Sequence, residues 1–271
     1  MEALEIVNTY YEYYLKEKSI TKTSKHFSKC SKYLARFFNH YGLEYPIKVH
    51  QQKVGYDREY FKVIDTEAKA YFLGFIYADG HITIKNRKGC TRKEYVFRIN
   101  LSKNDEEVLE LFKKELNYTN DLLDIKAKSF VSPSNNKTYT RQPQKLIHLS
   151  SEILVKDLMR WGVCENKTYT KLSIPDLPDN LIRHFIRGYF DGDGTVGKLE
   201  ASITSKDETI LKEIKAYVED KLGLPMGNIS LSDKNSYRWR INKNRHSFLE
   251  FLYKDSNFYL SRKRSKSHLT S

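Results

Sequence analysis

Two ten-residue segments of this chain share one pattern. They read YFLGFIYADG at residues 71–80 and FIRGYFDGDG at residues 185–194. Each segment has a glycine, then alanine or glycine four residues later, and then Asp-Gly. Residues four apart lie on the same face of an α-helix, so each segment predicts a helix with one face of small residues. The residues of these two faces are Gly74, Ala78, Gly188 and Gly192.

The small faces predict two helices that pack with their backbones close together. Asp79 and Asp193, at the ends of these helices, would then lie near each other. Two adjacent carboxylates repel each other or share a proton unless a cation compensates them, and oxygen ligands suit Mg²⁺. The pair of motifs therefore predicts a divalent metal site where the two helices end.

The segments after the two motifs repeat one order of predicted elements, which divides most of the chain into two halves, residues 65–175 and 176–271. The first half is expected to have strands at 81–85, 95–102, 121–131 and 137–149 and helices at 66–79, 105–116 and 152–161. The second is expected to have strands at 196–204, 228–232 and 236–242 and helices at 181–190, 206–222 and 245–253. Each strand alternates apolar with polar residues, which is typical of a sheet with one buried face.

The stretch DGDGTV at residues 191–196 also matches three other patterns. A dinucleotide-binding loop follows a strand and opens a helix, whereas this stretch follows a helix and opens a strand. A calcium loop needs Gly at its sixth position and Glu at its twelfth, where this chain has Val196 and Ser202. A phosphotransferase loop of the haloacid dehalogenase type, with Asp191 as nucleophile, predicts no second copy, yet Tyr77 stands at the matching place. That third alternative stays open.

Composition favours a nucleic-acid partner. The chain has 47 Lys and Arg against 34 Asp and Glu, a net charge of +13, and 20 Tyr with 14 Phe, so it is basic without being disordered. Its three cysteines are widely spaced, which predicts neither a disulfide framework nor a zinc site. No apolar run is long enough for a membrane span, and the first residues lack a signal peptide. We expect a soluble intracellular protein, in a bacterial or phage-infected cell or an organelle, without membrane contact.

The first 48 residues predict a small helical domain. Ser28 is a plausible N-cap of a helix over residues 29–41, and Gly42 is expected to end it. The pattern resembles a helix-turn-helix whose last helix lies in a DNA major groove. A small helical cap with a solvated basic face is the alternative. Residues 49–64 are expected to form a linker, and the expected DNA contacts are Lys29, Lys32 and Arg36.

At the two motifs the sequence resembles the LAGLIDADG homing endonucleases, in their single-chain, two-motif form, with a helix-turn-helix-like segment added before it. The resemblance implies an α+β fold, an αββαββα half repeated about a pseudo-twofold axis, whose antiparallel sheets form a saddle on double-stranded DNA. It also implies a monomer. In this chain Tyr77 stands where Asp is common, and Leu73 and Arg187 stand where the family usually has small residues.

The resemblance further implies double-strand breaks at a long DNA site by phosphodiester hydrolysis, with Mg²⁺ as cofactor and Mn²⁺ able to substitute. The metals would be held by the carboxylates of Asp79 and Asp193 and by the carbonyls of Ala78 and Gly192. Two other functions stay open on the same fold. One is a DNA-binding regulator that does not cleave, and the other is an RNA maturase that helps an intron fold.

Basic residues are expected to assist the reaction in pairs. Lys103 and Lys206 lie where a strand passes into the next helix, and we expect them to position water or the phosphate. Lys167 and Lys263 follow the last helix of each half and resemble the peripheral lysines of the family. The alternative for all four is an ordinary solvated lysine.

Base recognition is expected from the polar strand faces, where Arg suits guanine, Asn suits adenine and Lys mainly neutralises phosphate. The expected DNA contacts in the two halves are Thr83, Lys85, Arg98, Asn100, Lys126, Lys128, Lys198, Ser202, Arg238, Arg240 and Asn242.

Overall fold

The computed structural model describes residues 2–43, 55–86, 93–132, 136–165, 170–233 and 235–267. The chain divides into two compact units, residues 1–54 and 55–271. Residues 55–64, which the sequence analysis placed in a linker, belong to the second unit. Tyr60, Phe61 and Ile64 are buried there, because this stretch supplies apolar side chains to the core.

The first unit contains three helices, α1 (Glu2–Glu17), α2 (Ile20–His26) and α3 (Ser31–His40). Tyr14, Leu34 and Phe38 form its core, and Leu34 and Phe38 are the buried residues of α3. The helices therefore pack on each other through their apolar faces.

The predicted start of α3 is wrong by two residues. Ser28 has φ of +51° and lies in the turn, and Cys30 precedes the helix without a side-chain cap. A left-handed backbone cannot form an N-cap, which has an extended conformation. Gly42, with φ of +65°, follows α3 as expected.

The second unit contains two successive sets of helices and strands. The first set is α4 (Glu67–Asp79), β1 (Gly80–Asn86), β2 (Lys93–Ser102), a 3₁₀ turn (Lys103–Asp105), α5 (Glu106–Glu115), β3 (Leu123–Ile125), β4 (Lys128–Val131), β5 (Thr138–Arg141), β6 (Gln144–Ser150) and α6 (Glu152–Arg160). The second set is α7 (Asp179–Asp193), β7 (Gly194–Val196), β8 (Ala201–Ser205), α8 (Glu208–Leu222), β9 (Asn228–Asp233), β10 (Ser236–Ile241), α9 (Arg245–Tyr253) and α10 (Ser261–Lys266).

The two sets form sheets of the same topology. The strand orders are β1-β2-β6-β3 and β7-β8-β10-β9, and all pairs are antiparallel. In both sheets the strand after the motif helix lies at one edge and pairs with the next strand. The predicted α+β fold with a duplicated αββαββα unit is thereby confirmed, and β4, β5 and α10 are additions to it.

The strands bury the residues that the alternation predicted. Phe97 and Ile99 of β2 are buried, as are Trp239 and Ile241 of β10. Asn100, between the buried positions of β2, is exposed. Each of the two four-stranded sheets therefore has one apolar face toward the core and one polar face.

The motif helix α4 is buried over nearly its whole length, from Ala68 to Tyr77. It is apolar all round, which is expected of a helix in the centre of a unit. Thr66 caps it by accepting a hydrogen bond from the backbone N–H of Lys69. Helix α7 extends farther than predicted, because the Asp-Gly-Asp of the second motif forms its last turn.

Candidate functional site

Helices α4 and α7 pack with their backbones in direct contact. A Cβ atom added at Gly74 would lie 1.9 Å from the carbonyl oxygen of Phe185, and one added at Gly188 would lie 1.9 Å from that of Tyr71. Only glycine fits at such distances. The repeated glycine thus sets the separation of the two helices.

The close packing brings Asp79 to the last turn of α7. A Cβ atom added at Gly192 would lie 2.2 Å from Cβ of Ala78 and 3.1 Å from Oδ2 of Asp79. Asp193 is the next residue of α7 and its last. Both aspartates are exposed, whereas the helix positions before them are mostly buried. Two carboxylates therefore stand at one solvent-accessible edge of the helix pair.

Two exposed carboxylates suit a hard divalent cation whose remaining coordination positions are filled by water or substrate oxygens. In the described ranges, no group of three or more His, Cys, Asp and Glu could hold a metal. Mg²⁺ is commonly bound through one or two carboxylates, with waters and substrate phosphates as the other ligands. Asp79 and Asp193 match that mode, and the backbone carbonyls of Ala78 and Gly192, which precede them in the chain, are the further oxygen ligands expected from the sequence.

A pocket of about 270 Å³ lies beside Asp193. It is lined by Tyr77, Ala78, Leu172, Tyr189, Asp193, Thr204, Ser205, Lys206, Asp207 and Ser236. Lys206 thus lines the same pocket as Asp193, whereas Lys103 does not line it. Three hydroxyl residues of the pocket, Thr204, Ser205 and Ser236, were not predicted from the sequence. They come from β8 and β10, and only the folded sheet brings them to the end of α7.

Lys103 and Lys206 do not occupy equivalent positions in the two halves. The glycine after each motif aspartate pairs with an isoleucine, Gly80 with Ile99 and Gly194 with Ile203. Lys206 follows its isoleucine by three residues, but Lys103 follows by four and lies in the 3₁₀ turn. The residue with the register of Lys206 in the first half is Ser102.

Lys263 is not on the surface, which corrects its placement as a peripheral lysine. Its side chain is 2% exposed, and Nζ donates hydrogen bonds of 2.7 Å to the carbonyl oxygens of Phe190 and Asp191. Burial lowers the pKa of Lys263 to about 8, although the carboxylates of Asp191, Asp79 and Asp193 favour its charged form. It therefore binds two carbonyl groups in the last turn of α7, the helix that ends at Asp193. Lys167, its predicted counterpart, lies outside the described residues.

The lowered pKa of Lys263 predicts a pH dependence of stability. Between pH 8 and its ordinary value of 10.5, the unfolded chain binds a proton that the folded chain releases. The free energy of unfolding therefore rises with pH across this window. Urea unfolding at several pH values should show the wild type gaining about 2 to 3 kcal/mol relative to Lys263→Met, from about 1.4 kcal/mol per pKa unit.

Exposed Lys212 of α8 provides the control for that measurement. It lies in a solvated pair with Glu208, so the difference between wild type and Lys212→Met should not change over the window. Parallel curves for wild type and Lys263→Met would contradict the assigned burial of the ammonium.

Asp191 is a buried structural group. It is 1% exposed and accepts hydrogen bonds from the hydroxyls of Tyr71 at 2.9 Å and Tyr253 at 2.6 Å, and from the backbone N–H of Leu260 at 2.7 Å. Burial raises its pKa against the opposing effects of Lys263 and these donors. Since Asp191 lies within helix α7 and has no solvent access, the phosphotransferase interpretation is wrong.

The departure from the family at Arg187 has a structural explanation. Its guanidinium donates to the carbonyls of Phe258 and Leu252 at 2.7 and 3.0 Å and to Glu67 Oε1 at 2.6 Å. Burial lowers the pKa of Arg187, but the Glu67 carboxylate favours its charged form. The guanidinium also lies 5.5 Å from the ring centroid of Tyr71, so Arg187 bonds α7 to Glu67 and Tyr71 of α4.

The expected DNA contacts lie mainly on exposed polar surface. The exposed residues among them are Lys29, Lys32 and Arg36 of the first unit and Lys85, Asn100, Lys126, Lys128, Lys198, Arg240 and Asn242 of the second. Thr83, Arg98 and Arg238 are half-buried. The Nε atom of Arg98 is buried and has no hydrogen-bond partner within the described part of the chain. This buried N–H donor is therefore unsatisfied among the described residues.

Two of these assignments need correction. Ser202 is only 4% exposed, because it lies on the central strand β8 between Thr195 and Arg240, so it is not available to a base. Lys198 lies in the turn between β7 and β8, not on a strand. Two exposed histidines of the same polar face, His81 and His148, were not among the expected DNA contacts. They flank Arg98 on the neighbouring strands.

Residues 180–252 match the family described as LAGLIDADG-like domain. The resemblance to the LAGLIDADG family found from the sequence is thereby confirmed, and the matched range starts in α7 and ends in α9. No curated protein matches the sequence at a significant level. None of the described helices is long and apolar enough to cross a membrane.

Several solved structures are similar to this chain at low sequence identity. The homing endonuclease I-DmoI in complex with DNA and Mn is 19% identical, with a TM-score of 0.48, over 70% of this chain and 98% of that chain. The LAGLIDADG meganuclease I-AabMI bound to uncleaved DNA is 16% identical, with a TM-score of 0.46, over 74% and 88%. A point mutant of I-SmaMI is 15% identical, with a TM-score of 0.47, over 73% and 87%.

Proposed function

We propose that this chain, which carries a LAGLIDADG-like domain, is a site-specific homing endonuclease that makes double-strand breaks in DNA by metal-dependent phosphodiester hydrolysis. The observation that carries the proposal is the pair of exposed carboxylates, Asp79 and Asp193, at adjoining ends of two helices in backbone contact. A protein that only binds DNA has no need of such a pair. The proposed form is a monomer, because one chain supplies both halves.

Hydrolysis of a phosphodiester needs an activated water, neutralised charge on the phosphate and a stabilised leaving oxygen. Mg²⁺, or Mn²⁺ in its place, would supply these when bound, by lowering the pKa of water and neutralising charge on the phosphate. Asp79 and Asp193 would hold the cation, with the carbonyls of Ala78 and Gly192 as further oxygen ligands. Lys206, in the pocket beside Asp193, would hold a phosphate oxygen or orient the water.

The two sheets would supply the DNA recognition. Their polar faces carry Arg98, Asn100 and Arg240, whose side chains suit the edges of guanine and adenine in the major groove. Two halves would cover about two helical turns, or ~20 base pairs. The duplication therefore suits a long site in which each half contributes to the cleavage of one strand.

A cleavage selection tests the assignment directly. The purified protein is incubated with a randomised duplex library in Mg²⁺, and cut molecules are sequenced. The expected result is one long site cut on both strands, with no cutting in EDTA. Specific binding without cleavage in Mg²⁺ or Mn²⁺ would contradict the endonuclease and favour a regulator that does not cleave. Binding to intron RNA alone would favour a maturase.

The first unit is proposed to extend DNA binding as a helix-turn-helix. Helices α2 and α3 are joined by a four-residue turn, and Lys29, Lys32 and Arg36 are exposed on or beside α3. An exposed basic helix of this kind suits a major groove. The solvated basic cap remains the alternative that deletion tests.

Deletion of residues 1–48 should leave the second unit folded, since that unit has its own core. We expect the footprint on the target duplex to shorten and the affinity to fall at least about tenfold, because cations that displace counterions are lost. DNase footprinting and a filter-binding titration measure both effects. An unchanged footprint and affinity would reduce the unit to a structural cap.

A further inference from the structure

The first half carries a two-stranded arm between the strands that correspond to β9 and β10 of the second half. Strands β4 and β5 lie between β3 and β6, whereas the corresponding strands β9 and β10 end and begin at Asp233 and Ser236. The two halves are otherwise alike in topology. The arm is therefore specific to one side of the molecule.

The arm continues the ribbon formed by β3 and β6 without a change of register. Ile125 pairs with Gln144, and three residues farther along each strand Lys128 pairs with Arg141. The two-residue interruption contains Pro143, which has no N–H for the ladder. At ~3.4 Å per residue, residues 126–131 extend the ribbon by about 20 Å.

The arm has no packed face. All residues of β4 and β5 are exposed. Phe130 and Tyr139 stack across the strands with ring centroids 6.1 Å apart, and each is still nearly half exposed. On the other face, the hydroxyls of Ser129 and Thr140 lie 2.9 Å apart. Since an isolated two-stranded hairpin is marginally stable at best, this arm is suited to binding a partner.

The charge of the arm identifies the kind of partner. No Asp or Glu occurs between Ile125 and Ser151, a stretch that contains four lysines and one arginine. Lys128 and Arg141 lie directly opposite each other, on the face that also carries the aromatic pair. Like charges in opposed positions destabilise a sheet. A polyanion against this face removes the repulsion.

We propose that the arm of β4 and β5 is a DNA-binding ribbon that lies in the major groove of the duplex next to the first half. The major groove admits a two-stranded ribbon, and Lys128 and Arg141 contact backbone phosphates there. The added length of about 20 Å corresponds to about six base pairs at ~3.4 Å each. The protein therefore protects more DNA on the side of its first half. This inference takes duplex DNA as partner from the proposed function.

The salt dependence of binding tests the phosphate contacts. For the double variant Lys128→Gln/Arg141→Gln, the slope of log affinity against log salt on a duplex of arbitrary sequence should fall by about 1.8, or 0.9 per lost contact. The control is Lys156→Gln/Lys212→Gln, which also removes two lysines. Each of these lysines pairs with a glutamate one turn earlier in α6 or α8, so the control slope should stay near the wild-type value.

Footprint length on the selected site gives the second readout. The arm variant should protect about six base pairs fewer than the wild type on one side, while still cutting the site. An unchanged slope together with equal footprints for the wild type and the arm variant would overturn the inference, as would a reduced slope on RNA alone. The arm lies away from the two aspartates, so the two proposals can fail separately. A protein that cuts the site but shows no arm contacts contradicts only the proposed DNA-binding arm. A protein with normal arm contacts that does not cut contradicts only the proposed endonuclease.

Discussion

Replacing either motif aspartate by asparagine is expected to abolish cleavage of both strands while leaving DNA binding intact. Asp79 and Asp193 stand at one edge of the helix pair, so loss of one charge weakens the shared metal site. Changes in residues that only support a metal ligand lower affinity or activity by 10- to 100-fold, so loss of a ligand should exceed about 100-fold. Single-turnover cleavage of the selected duplex, with each strand labelled, measures the effect.

Asp220→Asn is the matched control for this pair, because Asp220 is an exposed aspartate of α8 and its replacement removes the same charge. Its rate should equal that of the wild type. A direct Mn²⁺ titration in the absence of DNA should show weaker binding for both motif variants and not for the control. If one motif variant still cuts both strands at the normal rate, the two carboxylates do not act as a shared site.

The second large effect is expected at the glycines between the motif helices. In Gly188→Ala the new Cβ would lie 1.9 Å from the carbonyl oxygen of Tyr71 and 2.8 Å from the backbone nitrogen of Phe75, so the helices must move apart. Overpacking a core costs 1 to 3 kcal/mol, and a clash with rigid backbone should reach about 3 kcal/mol. For a unit of this size that lowers Tm by roughly 6 to 12 °C.

Gly197→Ala separates this effect from a general cost of replacing glycine. A Cβ at Gly197 would meet the carbonyl of Glu200 at 3.3 Å, and a small shift of that turn relieves the contact. Its Tm should stay close to that of the wild type. Scanning calorimetry of both variants, followed by the cleavage assay at low temperature, tests whether the helix separation also controls the aspartates. Equal Tm values for wild type and Gly188→Ala would contradict the packing.

The fold was accessible from the sequence because its signals are local and duplicated. The glycine spacing of the two motifs predicted the helix pair, and the alternation in β2 and β10 predicted which side chains are buried. Boundaries were less accurate. The segments 121–131 and 137–149 were expected to be unbroken strands, but Pro143 and its neighbours interrupt the ladder. Helix α10 was not expected at all, since its short basic sequence has no apolar period.

The functional roles of individual residues depended on contacts that no local pattern contains. The residues around Lys263 are basic and polar, which is typical of a surface segment. In the structure, however, Lys263 is buried and donates hydrogen bonds to the last turn of α7. Asp191 stands out in the sequence as an acidic residue, but its partner Tyr71 is 120 residues away. Burial of this kind is decided by which elements pack together.

The sequence alone determined the duplicated architecture, the close helix pair and the choice of Asp79 and Asp193, because residue spacing fixes which side chains share a helix face. Only the tertiary structure decided that Lys206 but not Lys103 lines the pocket beside Asp193, that Lys263 and Asp191 are buried, and that the first half carries an exposed arm. Strand register and solvent exposure set these differences, and both arise from long-range packing.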